Sequence, residues 1–284
     1  MENLDLDPIE LRSVAERLAT EAADFVRRRR GEVFSGGPQR ESSGEAVRAK
    51  STPTDPVTIV DTETERLLRD RLAELRPGEH VLGEEGGGRS DESAGRATWV
   101  VDPIDGTVNF VYGLPAYAVS VAVQVDGQSV AGAVANVVDG ALYSAARGRG
   151  ALLRRASTTV PLRASTVDQL SMSLVGTGFA YNPQLRRRQA AVLSALLPEI
   201  RDIRRLGSAA LDLCLVAAGQ LDAYFEDELN AWDWAAGALI AAEAGALVRV
   251  PPMGGAGDGK GLVVAAAPGV SDALVDALAR AGGG

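Results

Sequence analysis

The stretch Asp102-Pro103-Ile104-Asp105-Gly106-Thr107 carries the densest chemistry in this chain. An apolar β-like run, Trp99-Val100-Val101, ends abruptly in two carboxylates three positions apart, with a proline between them that removes a ladder donor. Such a turn can aim Asp102 and Asp105 at one point and set the Ile104 carbonyl beside them. Three oxygens so placed suit a hard cation such as Mg²⁺. Gly106 and Thr107 then offer unhindered backbone N–H groups and a hydroxyl to an anion. Two further acidic segments join this one. Gly83-Glu84-Glu85-Gly86 follows a short apolar strand. Trp232-Asp233-Trp234-Ala235-Ala236-Gly237 places an acid near the start of a helix otherwise made of small and apolar residues, where a carboxylate is costly unless paired or metal-bound. The plainer readings are an acidic turn at 102–105 and a helix acid favoured by the dipole at 233.

The rest of the composition narrows the chemistry. The chain has 284 residues, a formal net charge of −9, one cysteine and one histidine. A lone His80 excludes a site built from several imidazoles and reads as a surface or structural residue. A lone Cys214 cannot form an internal disulfide, fits a reducing cytosol, and on its apolar helix reads as a small buried hydrophobe. The N-terminus, Met1-Glu2-Asn3-Leu4-Asp5, is acidic where a signal peptide would be basic and then apolar. With no apolar run of about 18 residues, the expectation is a cytoplasmic protein without a membrane segment. An acidic chain is a poor general ligand for nucleic acid, whose phosphates need clustered Lys and Arg. Lys50 and Lys260 are the only lysines, so a lysine near the acids is notable. Neither a G-x-S-x-G elbow nor a phosphate-binding G-x-x-x-x-G-K-[ST] loop is present.

The elements that must position these residues follow from local pattern. Asp7-Pro8-Ile9-Glu10 opens a first helix with an N-cap acid and a proline at the first helical position. Leu11, Val14, Leu18, Ala22 and Phe25 continue it to the solvated run Arg27–Arg30, and residues 31–49 read as a surface loop. A second helix follows Asp61 as its cap and stops at Pro77-Gly78. Strand-like pieces come next at 81–82, 99–101 and 117–125, then an Asp126-Gly127 hairpin turn and β-like runs over 128–146 through Asp139-Gly140. From about residue 165 strands and helices alternate: strand 170–176, helix 184–197, strand 201–206, helix 208–219, strand 222–226, helix 231–244, strands 246–250 and 261–267, and helix 270–281. The expected organisation is a mixed α+β and α/β chain. An N-terminal sub-domain, 1–160, would carry most of the acids, and a C-terminal one, 161–284, would complete the site. Trp232 and Trp234 are expected to pack around the Asp233 helix, and Arg186–Arg188 to form a solvated helix face or an oligomer contact.

At these residues the sequence resembles the inositol monophosphatase family of Mg²⁺-dependent phosphatases, specifically its bacterial SuhB-like branch. The resemblance runs from about Leu11 to Ala281. The family's D-P-[IL]-D-G-T signature stands at Asp102 to Thr107 and its W-D-x-A-A-G signature at Trp232 to Gly237. G-E-E is Gly83 to Glu85, K-S-x-P-x-D is Lys50 to Asp55, and the segment from Arg204 to Cys214 is similar to a third family region. The resemblance implies a layered αβαβα sugar-phosphatase fold, two to three Mg²⁺ per site, lithium sensitivity and a homodimer. It implies that Glu84, Asp102 and the Ile104 carbonyl hold a first Mg²⁺, that Asp102, Asp105 and Asp233 hold a second, and that Glu84 helps with a weaker third. Asp61 and Thr107 would orient and activate the attacking water. Gly106 and Thr107 would meet the phosphate, while Asp105, Ala209, Glu226 and Asp233 would touch the sugar alcohol. Lys50 would be a supporting charge at the entrance.

The implied reaction is metal-assisted hydrolysis of inositol-1-phosphate and related monoesters, which suits a chain almost without histidine or cysteine. Rival substrates are histidinol phosphate, fructose 1,6-bisphosphate and a 3′-phosphoadenosine nucleotide. A non-enzymatic interaction role is the rival from another class. Val108 departs from the family's second threonine after D-G-T, and Phe179-Ala180-Tyr181-Asn182 leaves the choice of alcohol open.

Overall fold

The computed structural model describes residues 6–34, 47–50, 56–88, 95–254 and 257–283. Ser51 to Asp55 of the lysine motif, and the N-terminal pentapeptide, lie outside them.

The chain opens with helix α1 (Pro8–Val33), where Asp7 Oδ1 accepts from the Ile9 N–H at 3.0 Å. A short antiparallel pair, β1 (Val47–Ala49) and β2 (Pro56–Thr58), leads into α2 (Ile59–Leu75). The cap of α2 differs from expectation: it is Thr58, and Asp61 is the third residue of a capping box. The Thr58 hydroxyl accepts from the Val60 and Asp61 N–H groups, and Asp61 Oδ2 accepts from the Thr58 N–H at 2.9 Å. The reciprocal bonding pulls Asp61 inward to full burial.

Next come β3 (His80–Gly83), β4 (Ala97–Asp105), the short helix α3 (Thr107–Tyr112), β5 (Ala118–Val125), β6 (Gln128–Asn136), β7 (Leu142–Ala146), β8 (Ala151–Arg155) and β9 (Thr158–Pro161). The strands form one seven-stranded sheet in sequence order, antiparallel except for the parallel pair β3–β4. Asp126 and Gly127 both have positive φ, as a two-residue type I′ turn between β5 and β6 requires.

The second half contributes β10 (Leu174–Thr177), α4 (Pro183–Leu196), β11 (Asp202–Arg204), α5 (Ala209–Ala217), β12 (Ala223–Leu229), α6 (Ala231–Glu243), β13 (Leu247–Arg249), the small pair β14 (Met253–Gly254) and β15 (Gly257–Asp258), β16 (Gly261–Ala266) and α7 (Ser271–Arg280). Its five-stranded sheet runs β11-β10-β12-β16-β13 and is mixed: β10 is parallel to β11 and β12, while β16 is antiparallel to both its neighbours. The expected strand at 170–176 starts later, because Leu170–Met172 winds into a 3₁₀ turn closed by the Ser173 N–H on the Leu170 carbonyl.

Side-chain alternation stacks these pieces. In β4, Trp99 and Val101 face a core with α1 and α2, while Val100 faces a core with α5 and α6. In the second sheet Tyr224, Val263 and Ala265 turn to that same central core, and Ala223, Phe225, Val264 and Ala266 turn to an outer one with α4 and α7. Every internal layer is thus apolar on both faces, and the order is helix, sheet, helix, sheet, helix: a layered αβαβα fold. Cys214 is fully buried in the central core, Arg186 to Arg188 are exposed on α4, and His80 is exposed on β3. Trp234 is buried with its Nε1–H on the Gly259 carbonyl at 2.8 Å, and Trp232 packs half-buried against the central core.

Candidate active site

In a regular strand, residues three apart face opposite sides of the sheet. Asp102 and Asp105 escape that rule through a β-bulge. Asp102 pairs with Ser120 and Asp105 with Ala118, so Pro103 and Ile104 together oppose the single residue Val119. The extra residue brings both carboxylates to one side, and the Ile104 N–H donates to Asp102 Oδ1 at 2.9 Å. Gly106 follows in a left-handed conformation, φ 93°, and a Cβ there would press on the Ala116 and Gly207 carbonyls at 2.9 and 3.0 Å. Only glycine turns the chain here into α3.

Asp233 arrives from the first turn of α6, where its Oδ2 accepts from the Asn230 N–H at 2.7 Å. One carboxylate oxygen each from Asp102, Asp105 and Asp233 lie within 4.8 Å of one another. Glu84 borders the same cavity on the turn after β3, but its Oε1 is engaged by Lys50 Nζ at 2.7 Å, and Lys50 also contacts Glu85. Buried Glu65 secures that turn, accepting from the Glu85 and Gly86 N–H groups at 2.7 and 2.8 Å while paired to Arg69.

Asp61 and Thr107 meet although 46 positions separate them. Thr107 Oγ1 is 3.1 Å from Asp61 Oδ1 and 3.0 Å from the Ile104 carbonyl oxygen. Asp105 is held from the other sub-structure: Oδ2 accepts from Ser208 Oγ at 2.6 Å and from the Ala210 N–H at 2.8 Å, at the start of α5. These groups surround a cavity of about 470 Å³ that also takes in Gly106, Ala209, Glu226, Arg205 and the segment Phe179–Asn182. All the residues named from sequence for catalysis, metal and substrate border this cavity except Asp61, which lies buried behind Thr107.

The electrostatics are those of crowded acids out of water. Burial pushes Asp61 up to about 7 and Glu226 to about 7. Burial raises Asp105 to about 6, held back by the Ser208 and Ala210 hydrogen bonds. Asp102 and Asp233 stand well above the usual carboxylate range, first from burial and then from the charge of Glu84 and Asp105. Desolvation would lower Lys50, but the charges and hydrogen bonds of Glu84 and Glu85 together outweigh it and raise the ammonium. Buried acids this close cannot all ionise without a counter-charge. An all-oxygen donor set of clustered carboxylates with a carbonyl nearby fits a hard divalent cation, and fits a soft one poorly.

Four contributors had no role from sequence: Thr58, Glu65, Ser208 and Arg205. A signal existed for two. Thr58-x-x-Asp61 is a capping-box spacing, and Ser208 directly precedes an apolar helical run.

The inositol monophosphatase family model matches residues 7–281. Inositol-1-monophosphatase of Mycobacterium leprae is 66% identical over 282 residues, covering 98% of this chain and 97% of that protein. Inositol-1-monophosphatase SuhB of Mycobacterium tuberculosis is 61% identical over 285 residues, covering 98% and 97%. Among solved structures, Mycobacterium tuberculosis SuhB superposes with a TM-score of 0.83 at 55% identity, covering 98% of this chain and 99% of that one.

Proposed function

This chain belongs to the inositol monophosphatase family, and from that membership and its acidic cavity we propose that it hydrolyses inositol-1-phosphate and related monoesters to inositol and phosphate with Mg²⁺. The observation that carries the reading is the convergence of Asp102, Asp105 and Asp233 within 4.8 Å at the cavity, next to the Asp61–Thr107 pair.

Asp102, Asp105, Asp233 and Glu84, with the Ile104 carbonyl, would hold two to three Mg²⁺. Bound there, the ions supply charge that lowers the pKa of a nucleophilic water and stabilises the departing alkoxide. The protein's own residues do the rest. Ionised Asp61 accepts the Thr107 hydroxyl proton as a hydrogen bond, which turns the Thr107 lone pairs outward to accept from a water and orient it. Gly106 and Thr107 present backbone N–H groups to the phosphate at the start of α3. Ser208 and Ala210 fix Asp105. Ala209 offers a small wall, and Asp105, Glu226 and Asp233 offer acceptors, to the hydroxyls of the alcohol. Lys50, paired to Glu84 and Glu85, balances charge at the entrance.

The wider reading takes residues 1–160 as the sub-domain with most ligands and 161–284 as the one completing the site. It also takes the protein as a lithium-sensitive homodimer of the cytoplasm. No helix among the described residues is long and apolar enough to cross a membrane. Light scattering tests the dimer. The function is tested by a side-by-side assay of inositol-1-phosphate, histidinol phosphate, fructose 1,6-bisphosphate and a 3′-phosphoadenosine nucleotide, with and without Mg²⁺. The inositol ester should give the highest kcat/KM, and only with the ion; higher turnover of another ester would transfer the assignment to that substrate.

A further inference from the structure

Glu226 is held from two sides by residues that do not themselves border the cavity. Tyr224 lies two positions before it on β12, hence on the same face of the strand. Its ring is fully buried in the central core, and its hydroxyl donates to Glu226 Oε2 at 2.6 Å. On the neighbouring parallel strand, Thr177 pairs with Phe225, which places Gly178 alongside Glu226. The Glu226 carboxylate lies directly over the Gly178 Cα: a Cβ at that position would fall among the carboxylate atoms. Gly178 has no positive φ, so its backbone accepts any residue. The glycine is required by space and not by conformation.

We propose that Tyr224 and Gly178 are positioning residues that fix the Glu226 carboxylate for a substrate hydroxyl and thereby favour polyol phosphates over esters lacking hydroxyls. This rests on the reading of the cavity as a phosphatase site and adds how its alcohol end is set. The Tyr224 bond occupies one carboxylate oxygen and the floor at Gly178 blocks retreat, so the remaining acceptor capacity stays at the cavity wall. A carboxylate free to swing would lose orientation toward the hydroxyl while leaving the phosphate end untouched.

The test compares Tyr224→Phe and Gly178→Ala with the wild type on three Mg²⁺-dependent substrates: inositol-1-phosphate, glycerol 2-phosphate and p-nitrophenyl phosphate. For the two hydroxyl-bearing esters KM should rise about tenfold, the scale of one lost hydrogen bond to a charged group, with kcat within about twofold. On p-nitrophenyl phosphate both constants should stay within about twofold of wild type. In Gly178→Ala the atom displaced is the end of a flexible side chain, so its melting temperature should stay near that of the wild type, and this variant keeps the test open if Tyr224→Phe folds poorly. Equal losses on all three esters, or unchanged KM for the hydroxyl-bearing two, would overturn the proposal. Wild-type turnover of glycerol 2-phosphate but not of inositol-1-phosphate would count against the proposed substrate instead, and the comparison on glycerol 2-phosphate would still decide the positioning role.

Discussion

Ser208 Oγ donates to Asp105 Oδ2 at 2.6 Å across 103 positions of sequence, tying the N-cap of α5 to the end of β4. The same hydroxyl accepts from the Leu211 N–H, so one side chain both starts a helix and aims a carboxylate. Ser208→Ala removes both functions. The expected outcome is a stability loss of about 1–2 kcal/mol, the usual cost of a lost cap, seen by denaturant unfolding. The Mg²⁺ concentration for half-maximal activity should rise several-fold. An unchanged Mg²⁺ requirement would show that Asp105 needs no help from α5.

Asp105→Asn replaces a buried charge by a neutral group of the same shape. Turnover of inositol-1-phosphate should fall by about a thousandfold or more, the scale of losing a group that acts only in the transition state. The circular dichroism spectrum should be unchanged, because the amide keeps the size and shape of the carboxyl group. Retention of normal phosphatase activity would remove Asp105 from the metal site.

The crowded acids also set how stability varies with pH. Asp61, Glu226 and Asp105 have folded values of about 7, about 7 and about 6, all above the ordinary carboxylate range. The folded chain therefore keeps protons that the unfolded chain has released, and its stability falls as pH rises from about 4 toward 7. Without divalent cations the melting temperature should drop steadily between pH 5 and pH 7. If the cluster is the Mg²⁺ site proposed above, the ion favours the folded, ionised acids and should raise the melting temperature most at the alkaline end, by about 5 °C or more at saturating ion. A metal-free protein that grows more stable over this range would contradict the burial of these groups as acids.

Asp212 offers a cleaner case. It is 1% exposed on α5, and its Oδ1 has no hydrogen-bond partner among the described residues. Burial, followed by the charges of Glu226 and Asp105, raises its carboxyl well above the usual range. By the same sign, its cost grows with pH. Asp212→Asn should raise the melting temperature at pH 8 and change it little at pH 5, as differential scanning fluorimetry would report. Equal shifts at both values would mean that charge is not what makes this position costly.

Much of this was legible from local pattern. The α1 start at Asp7-Pro8, the Asp126-Gly127 turn and the alternation of strands and helices after residue 165 all rest on forces acting within a few residues. Elements whose identity depends on distant partners were not legible. Strands β8 and β9 are short, with β9 exposed throughout, and exist because each strand offers the next an edge, β7 to β8 and β8 to β9. Asp61 looked like a helix cap because acids commonly are; its true neighbour, Thr107, is 46 positions away. Leu170–Met172 alternates like a strand but has no sheet edge to join until Leu174.

The sequence by itself determined which residue types could bind a hard cation, and in which order: two acids between glycines, two carboxylates and a carbonyl after an apolar β-like run, and an acid opening an apolar helix. Local periodicity also determined which faces had to be buried, while the layered order came from the family resemblance. Only the tertiary structure decided that these acids converge. It introduced the bulge that turns Asp102 and Asp105 to one side, and it brought Ser208 against Asp105 and Gly178 against Glu226, pairs far apart along the chain. The physical reason is range. Propensity and patterning act over a few residues, whereas desolvation and charge crowding depend on distances in space that the packed layers alone fix.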